Sequence, residues 1–194
     1  SGSSVNELRQ QSAHAHSSTF NLLTNQLYVA DLGMDKIVVY DYDSSTGILK
    51  PRPELNVNLI PGAGPRHFEW HPNGSVLYVI NELDCTVSVY KCHNDQKLEL
   101  LQNISTLPEG FDGIISCADI HISADGKFLY ASNRGHSSIV RFTTSLSGIP
   151  LSDATHFDTA GKWTRNFAIS PSQDYMFVAN QDTNNIVIFN RDIQ

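Results

Sequence analysis

Short apolar runs alternate with polar turns along the whole chain. The run at 76–80 reads Val-Leu-Tyr-Val-Ile, and a second run, Val-Ser-Val-Tyr, follows at 87–90 after a polar turn. Runs of this length, rich in β-branched and aromatic residues and bounded by turn residues, predict β-strands. Amphipathic helical patterns of about 10–15 residues do not separate the runs, which argues against a parallel sheet with crossover helices.

The strand pattern recurs four times, and one aromatic position in the second strand of each copy serves as an anchor. The anchors are Tyr28, Tyr78, Tyr130 and Phe177, so successive copies are 50, 52 and 47 residues apart by subtraction. A period near 50, with three clear strands and a weaker fourth such as 98–102, is typical of a β-propeller blade. A β-sandwich is the structural alternative, but its strands would not repeat so regularly. The pairs Asn73-Gly74 and Asp125-Gly126 predict tight hairpin turns because they accept positive φ.

We therefore predict an all-β chain that forms part of a β-propeller, with about four blades. The expected blades are roughly 13–60, 61–112, 113–160 and 161–194. The last copy has no fourth strand, and no spare strand is evident near Ser1. Unpaired sheet edges invite association. We therefore expect either a fragment of a larger ring or a chain that pairs with another copy.

Two positions in each copy are expected to face one rim of the ring. Antiparallel pairing places the start of the first strand beside the end of the second. The position twelve residues before each anchor holds His16, Arg66, Ala118 and Arg165. The position four residues after each anchor holds Leu32, Glu82, Arg134 and Gln181.

This rim collects three arginines, a histidine and a carboxylate, a combination suited to a small anion. The planar guanidinium of arginine binds carboxylate or phosphate through two hydrogen bonds. Glu82 is expected to stay ionised among the arginines, where it is a candidate general base. Two other interpretations remain open: Arg66 and Glu82 can form a purely structural ion pair, and His16 can be a channel histidine bonded to the backbone.

Other polar residues near the rim are expected to play supporting roles. His14 and His67 flank the predicted site. His121 alternates with Ile120 and Ile122 along a strand and is interpreted as structural, while Asp119 shares its face and can orient His121 or Arg134.

Composition narrows the possible partners and compartment. The net charge of −7, with only 13 Lys and Arg residues, argues against binding to nucleic acid. Apolar runs long enough to span a membrane are missing, and residues 1–12 do not resemble a signal peptide. Three cysteines, Cys85, Cys92 and Cys117, lack metal-binding spacing, so we expect free thiols, no metal and a cytoplasmic protein.

Several motifs resemble those of the propeller lactonase family, which includes bacterial-type 6-phosphogluconolactonases and carboxymuconate cyclases. The segments that carry the resemblance are 62–67 (Gly-Ala-Gly-Pro-Arg-His), 79–83 (Val-Ile-Asn-Glu-Leu), 118–122 (Ala-Asp-Ile-His-Ile), 133–134 (Asn-Arg) and 165–167 (Arg-Asn-Phe). The resemblance implies a seven-bladed ring, of which this chain supplies the middle and later blades. It also implies that the family's active histidine, glutamate and two arginines correspond to His16, Glu82, Arg66 and Arg134.

These observations predict a lactone hydrolase that acts on a small anionic sugar lactone, most readily 6-phosphogluconolactone. Glu82 would activate water and His16 would pass a proton to the leaving ring oxygen. The expected catalytic residues are His16, Arg66, Glu82 and Arg134, and the expected substrate-binding residues are Arg165, His67, Asn133 and Asn166. No cofactor is expected. The alternatives are a muconate-lactonising enzyme and a non-catalytic propeller that binds a ligand at the same rim.

Overall fold

The computed structural model describes residues 3–191, and its strands form four antiparallel sheets that follow one another along the chain. The first sheet contains β1 (Ala15–Asn21), β2 (Gln26–Asp31), β3 (Lys36–Asp43) and β4 (Ile48–Pro51), with β5 (Val57–Asn58) also paired to β3. The second contains β6 (Pro65–Trp70), β7 (Val76–Asn81), β8 (Thr86–Cys92) and β9 (Leu98–Ser105).

The third sheet contains β10 (Cys117–Ile122), β11 (Phe128–Asn133), β12 (Ser138–Thr143) and β13 (Ser152–Asp158). The fourth contains β14 (Thr164–Ile169), β15 (Tyr175–Asn180) and β16 (Asn185–Asn190), so its fourth strand is missing from the described residues. A short 3₁₀ helix, Pro53–Leu55, is the one helical element within 3–191. The prediction of an all-β partial propeller is confirmed.

The first strand of each sheet lies innermost and contacts its neighbours in chain order. β1 packs beside β6, β6 beside β10, and β10 beside β14, which is the radial arrangement of propeller blades. Apolar clusters fill the spaces between adjacent blades. The anchor aromatics Tyr28 and Tyr78 are fully buried there, and burying such a side chain stabilises the fold by roughly 1.5–3 kcal/mol.

The turns that join the first two strands differ from the prediction in one respect. In blades two and three the connections are 71–75 and 123–127, and only the glycine has a positive φ: 70° at Gly74 and 74° at Gly126. Asn73 and Asp125 instead accept hydrogen bonds from the backbone N–H two residues later, at 2.9 and 3.1 Å. Their contribution is a side-chain bond within the turn rather than tolerance of positive φ.

A register shift at the start of every inner strand is the feature of the fold that positions the site. The shifts lie between Ala15 and Ser17, Pro65 and His67, Cys117 and Ile120, and Thr164 and Asn166. In three of the four blades, one residue of the inner strand is therefore left without a partner on the second strand. β-Bulges of this kind redirect a side chain away from the regular alternation of the sheet.

Candidate functional site

The bulges place the polar residues of the first rim position where the blades meet. His16, Arg66 and Arg165 are the extra residues in blades one, two and four. Ala118 and Asp119 occupy the corresponding stretch of blade three. The local reason for the rim pattern is thus a repeated bulge, which simple strand alternation does not reveal.

Glu82 is the centre of a buried ion-pair cluster. Its carboxylate is 1% exposed, and Oε2 lies 2.9 Å from both Arg66 Nε and Arg134 Nη2. Oε1 pairs with Arg9 Nη2. Burial alone would raise the pKa of Glu82, but the charges of Arg134, Arg9 and Arg66 outweigh burial and lower it, so the carboxylate is ionised.

This geometry does not favour Glu82 as a general base, a role that stays a prediction. Both carboxylate oxygens are engaged by arginines, and water has almost no access to them. A base must reach the proton that it removes and must have a lone pair free to accept it. The geometry favours the structural interpretation that the sequence left open, in which Glu82 holds the arginines in place.

Arg134 is also built into this cluster rather than presented to solvent. It is 5% exposed, and Nη2 donates to the carbonyl oxygen of Cys117 at 2.7 Å. Its guanidinium carbon lies 5.6 Å from the centre of the Trp163 ring. Arg134 contacts Glu82 and does not line the cleft described below, so its position favours a role in holding Glu82; the catalytic role stays a prediction.

Arg9 belongs to the cluster and was missed by the sequence argument. It lies before the first repeat, in a segment held down by buried Gln10, whose Nε2 donates to the Leu32 carbonyl oxygen at 2.9 Å. The side chain of Arg9 is 49% exposed. Because Arg9 lies outside the repeat, the periodicity that identified the other site residues could not identify it.

Three arginines surround a single carboxylate, so this cluster has a formal excess of two positive charges. Arg66 Nη1 donates to the Ala118 carbonyl oxygen at 2.6 Å and lies 3.0 Å from His67 Nε2. Fixed donors of this kind stabilise anionic groups without reorganising when charge develops.

An open cleft of about 330 Å³ lies beside this cluster and extends towards blade four. It is lined by Arg66, His67, Arg165, Asn166, Ala179, Asn180 and Gln181. A smaller and more apolar pocket of about 200 Å³ lies between the outer parts of blades three and four, away from this cluster. The cleft is the better candidate site because it combines access with arginine and histidine side chains.

Arg165 presents its charge to this cleft with only a neutral partner. Its Nη1 donates to Gln181 Oε1 at 3.0 Å, and both side chains are exposed. The guanidinium makes no ion pair within residues 3–191, which leaves it available to an incoming anion.

His16 lies at the edge of the same region. Its exposed ring makes an edge-to-face contact with His67, with 5.3 Å between the ring centres. Partial burial, together with the charge of Arg66, lowers the pKa of His16 to about 4. The imidazole is therefore neutral near pH 7, so it begins as a proton acceptor.

His67 and Asn166 line the cleft, whereas Asn133 is buried away from it, which does not favour its predicted role in substrate binding. Asn133 is 0% exposed; its Nδ2 donates to the Thr106 carbonyl oxygen at 2.7 Å, and its Oδ1 accepts from Thr106 Oγ1 at 2.7 Å. Asn81 and Asn180, at the same repeat position, are likewise buried and hydrogen-bonded. This recurrence marks a structural position.

The described part of the chain offers neither a metal site nor a membrane-spanning helix. Residues 3–191 contain no group of three or more His, Cys, Asp or Glu side chains arranged to hold a metal ion. Within the same residues, no helix has the length and apolar character needed to cross a membrane.

Comparison with known proteins gives a consistent result. Residues 1–194 match the profile of a family described as "Lactonase, 7-bladed beta-propeller". A 6-phosphogluconolactonase from Formosa agariphila is 43% identical over 197 residues, an alignment that covers 100% of this chain and 55% of that protein.

Solved structures show the same likeness. A protein from Lactobacillus plantarum has a TM-score of 0.92 and 30% identity, with 99% of this chain and 55% of that chain covered. A periplasmic gluconolactonase from Pseudomonas aeruginosa has a TM-score of 0.89 and 34% identity, with 95% of this chain and 52% of that chain covered. The present chain thus spans about half the length of these relatives.

Proposed function

Because the chain belongs to the seven-bladed β-propeller lactonase family, we propose that the complete protein hydrolyses the ring ester of a small anionic sugar lactone, with 6-phosphogluconolactone as the preferred substrate. The name of the Formosa relative supports this substrate. The observation that carries the proposal is the cleft in which Arg66 and Arg165 lie together, beside a cluster with excess positive charge.

The two arginines of the cleft have different roles in this proposal. Arg165, which has a neutral partner, binds the phosphate of the substrate. Arg66 is held rigidly by Glu82 and the Ala118 carbonyl oxygen, so it stabilises the oxyanion that forms at the lactone carbonyl. This arrangement is maintained by the ion pairs of Glu82 with Arg134 and Arg9.

In this proposal His16 transfers a proton from the attacking water to the leaving ring oxygen. The oxygen of a water molecule bonds to the lactone carbonyl carbon while the neutral imidazole accepts a proton from that water. When the bond between this carbon and the ring oxygen breaks, the imidazolium returns the proton to the leaving ring oxygen. The products are the open hydroxy acid and the unchanged histidine. An anionic substrate offsets the positive charge near His16, which brings its pKa closer to the working range.

Acid release from candidate lactones by the complete protein tests this function. We expect turnover of 6-phosphogluconolactone and a loss of about 10²–10⁴-fold in kcat for His16→Gln. Turnover of a muconolactone with no activity on the sugar lactone would support the cyclase alternative. Binding of both without turnover would indicate a non-catalytic propeller and overturn the proposal.

We also propose that the remaining blades are supplied outside these 194 residues, by further chain or by a second copy. β16 leaves Ile186 and Ile188 exposed, as expected for a strand that another strand or blade covers. Intact mass and solution molecular weight of the native protein distinguish the two sources.

For the compartment we retain the proposal of a cytoplasmic protein with free thiols at Cys85, Cys92 and Cys117, which cell fractionation tests.

A further inference from the structure

A belt of polar residues follows the bulges around the inner strands. It occupies the position eleven residues before each anchor: Ser17, His67, Asp119 and Asn166. Ser17 Oγ donates to the Arg66 carbonyl oxygen at 2.6 Å. His67 Nδ1 and Asn166 Nδ2 each lie 2.6 Å from an oxygen of Asp119. The belt therefore links all four blades through hydrogen bonds between neighbouring inner strands.

Asp119 is the centre of this belt. It is 2% exposed, and Oδ2 also accepts from the Phe167 backbone N–H at 3.1 Å and contacts His121 Nε2 at 3.2 Å. Burial opposes ionisation, but the hydrogen bonds from His121 and His67 outweigh it and hold the pKa of Asp119 below its usual range. The same contacts raise the pKa of His121, although burial works against that change.

An ionised carboxylate can only accept hydrogen bonds. Asp119 therefore determines which polar atoms of His67 and Asn166 donate and which accept. His67 must carry its proton on Nδ1, so that Nε2 accepts from Arg66 Nη1 at 3.0 Å. Asn166 must direct its NH₂ group towards Asp119. Its Oδ1 is then a defined acceptor at the cleft, and it has no hydrogen-bond partner among the described residues.

We propose that Asp119 is a positioning residue that orients Asn166 so that Oδ1 accepts a hydrogen bond from a hydroxyl of the substrate. The inference rests on the proposed function and narrows it, because such an acceptor selects polyhydroxylated acids and lactones over unsubstituted ones. Arg66 and Arg165 offer donors to the anionic groups, and Asn166 offers the complementary acceptor.

Calorimetric binding to the complete protein tests this selection without requiring turnover. The probes are gluconate and hexanoate, which share a carbon chain but differ in hydroxyl groups. We expect Asn166→Ala to weaken gluconate binding about 3–10-fold and to leave hexanoate binding unchanged, since a neutral hydrogen bond has that effect. Equal losses for both probes, or a wild-type protein that does not prefer gluconate, would overturn the proposal.

The positioning role of Asp119 is tested by Asp119→Asn, alone and combined with Asn166→Ala. We expect the double variant to bind gluconate no more weakly than Asn166→Ala alone, because Asp119 acts through Asn166. Nitrogen NMR of the imidazoles should show His67 protonated at Nδ1 in the wild type and a mixture of tautomers in Asp119→Asn. Additive losses together with an unchanged His67 tautomer would contradict the role.

Glu69→Gln serves as the control, since it removes a half-buried carboxyl group from an inner strand. Burial raises the pKa of Glu69, and its charge interacts with His121 and Asp119, but no hydrogen bond joins its side chain to His67 or Asn166 within residues 3–191. The control should retain the tautomer and the selectivity. If the wild type shows the Nδ1 tautomer of His67 and the preference for gluconate but hydrolyses no lactone, the proposed function fails while the binding inference stands.

Discussion

Blades two and four place an arginine at the same bulge position, yet the two arginines have opposite surroundings. Arg66 is 3% exposed and is paired with Glu82, four residues after its anchor aromatic. Arg165 is exposed and is hydrogen-bonded to Gln181 at the equivalent position. The backbone register is the same in both blades, with the extra residue lying between paired neighbours.

The difference shows that the repeat determines where a side chain lies, while its partner determines what remains available for a ligand. A carboxylate partner holds Arg66 in one orientation, so its remaining donors are rigid. An amide partner leaves the full charge of Arg165 available to bind an anion. The comparison can therefore be tested by exchanging the partners.

Removal of the charge on Glu82 should have the largest effect. Glu82→Gln leaves Arg66 and Arg134 buried without a counter-charge, so we expect the free energy of unfolding to fall by about 3–5 kcal/mol. Chemical denaturation of the complete protein measures this change. A loss below about 1 kcal/mol would mean that the cluster is more hydrated than its burial indicates.

Removal of the charge on Arg165 should affect binding instead of stability. For Arg165→Gln we expect KM for 6-phosphogluconolactone to rise about 10–100-fold, because a charge-assisted hydrogen bond to phosphate is lost. The free energy of unfolding should change by no more than about 0.5 kcal/mol, as for other exposed sites. An equal loss on the unphosphorylated lactone would show that Arg165 does not bind the phosphate.

Gln181→Glu gives blade four the partner that blade two has, and its effect should be smaller. The new carboxylate would pair with Arg165 and repel the substrate phosphate, raising KM by about 3–10-fold at low salt. High salt should reduce the effect, since both groups are exposed. An unchanged KM at low salt would contradict the assignment of a free charge to Arg165.

The ionisation of His16, at the bulge of blade one, should have the smallest effect on stability near neutral pH. Its pKa of about 4 means that the folded protein keeps it neutral while an unfolded chain protonates it below its ordinary value of 6.5. The unfolded state then binds more protons, so this group lowers the free energy of unfolding as pH falls from about 6.5 to 4. Above that range its ionisation does not change the free energy of unfolding. NMR titration of His16 in the ligand-free protein measures the pKa; a value near 6.5 would contradict its placement beside Arg66 and His67.

The sequence predicted the fold well because blade periodicity is carried by buried aromatics and apolar strands. Tyr28 and Tyr78 mark the interfaces between blades, and the fourth strand expected at 98–102 is part of β9. The family resemblance drawn from the motifs is likewise confirmed. Apolar spacing is a local property of the chain, so it can be read without knowing the tertiary structure.

The roles within the site were harder to predict because they depend on contacts between distant segments. The third arginine that pairs with Glu82 is Arg9, which lies outside the repeat and so could not be found from the periodicity. The burial of Asn133 was predictable only by comparing it with Asn81 and Asn180. The belt through Asp119 lies one residue beyond the rim position and follows from the bulges, which apolar patterning does not encode.

A crystal structure of the complete protein with 6-phosphogluconate bound would test the central claim most directly. The account predicts the phosphate on Arg165, the carboxylate group facing Arg66 and His16, and a sugar hydroxyl on Asn166 Oδ1. A ligand bound in the apolar pocket between the outer strands of blades three and four, or at a rim without these residues, would contradict it.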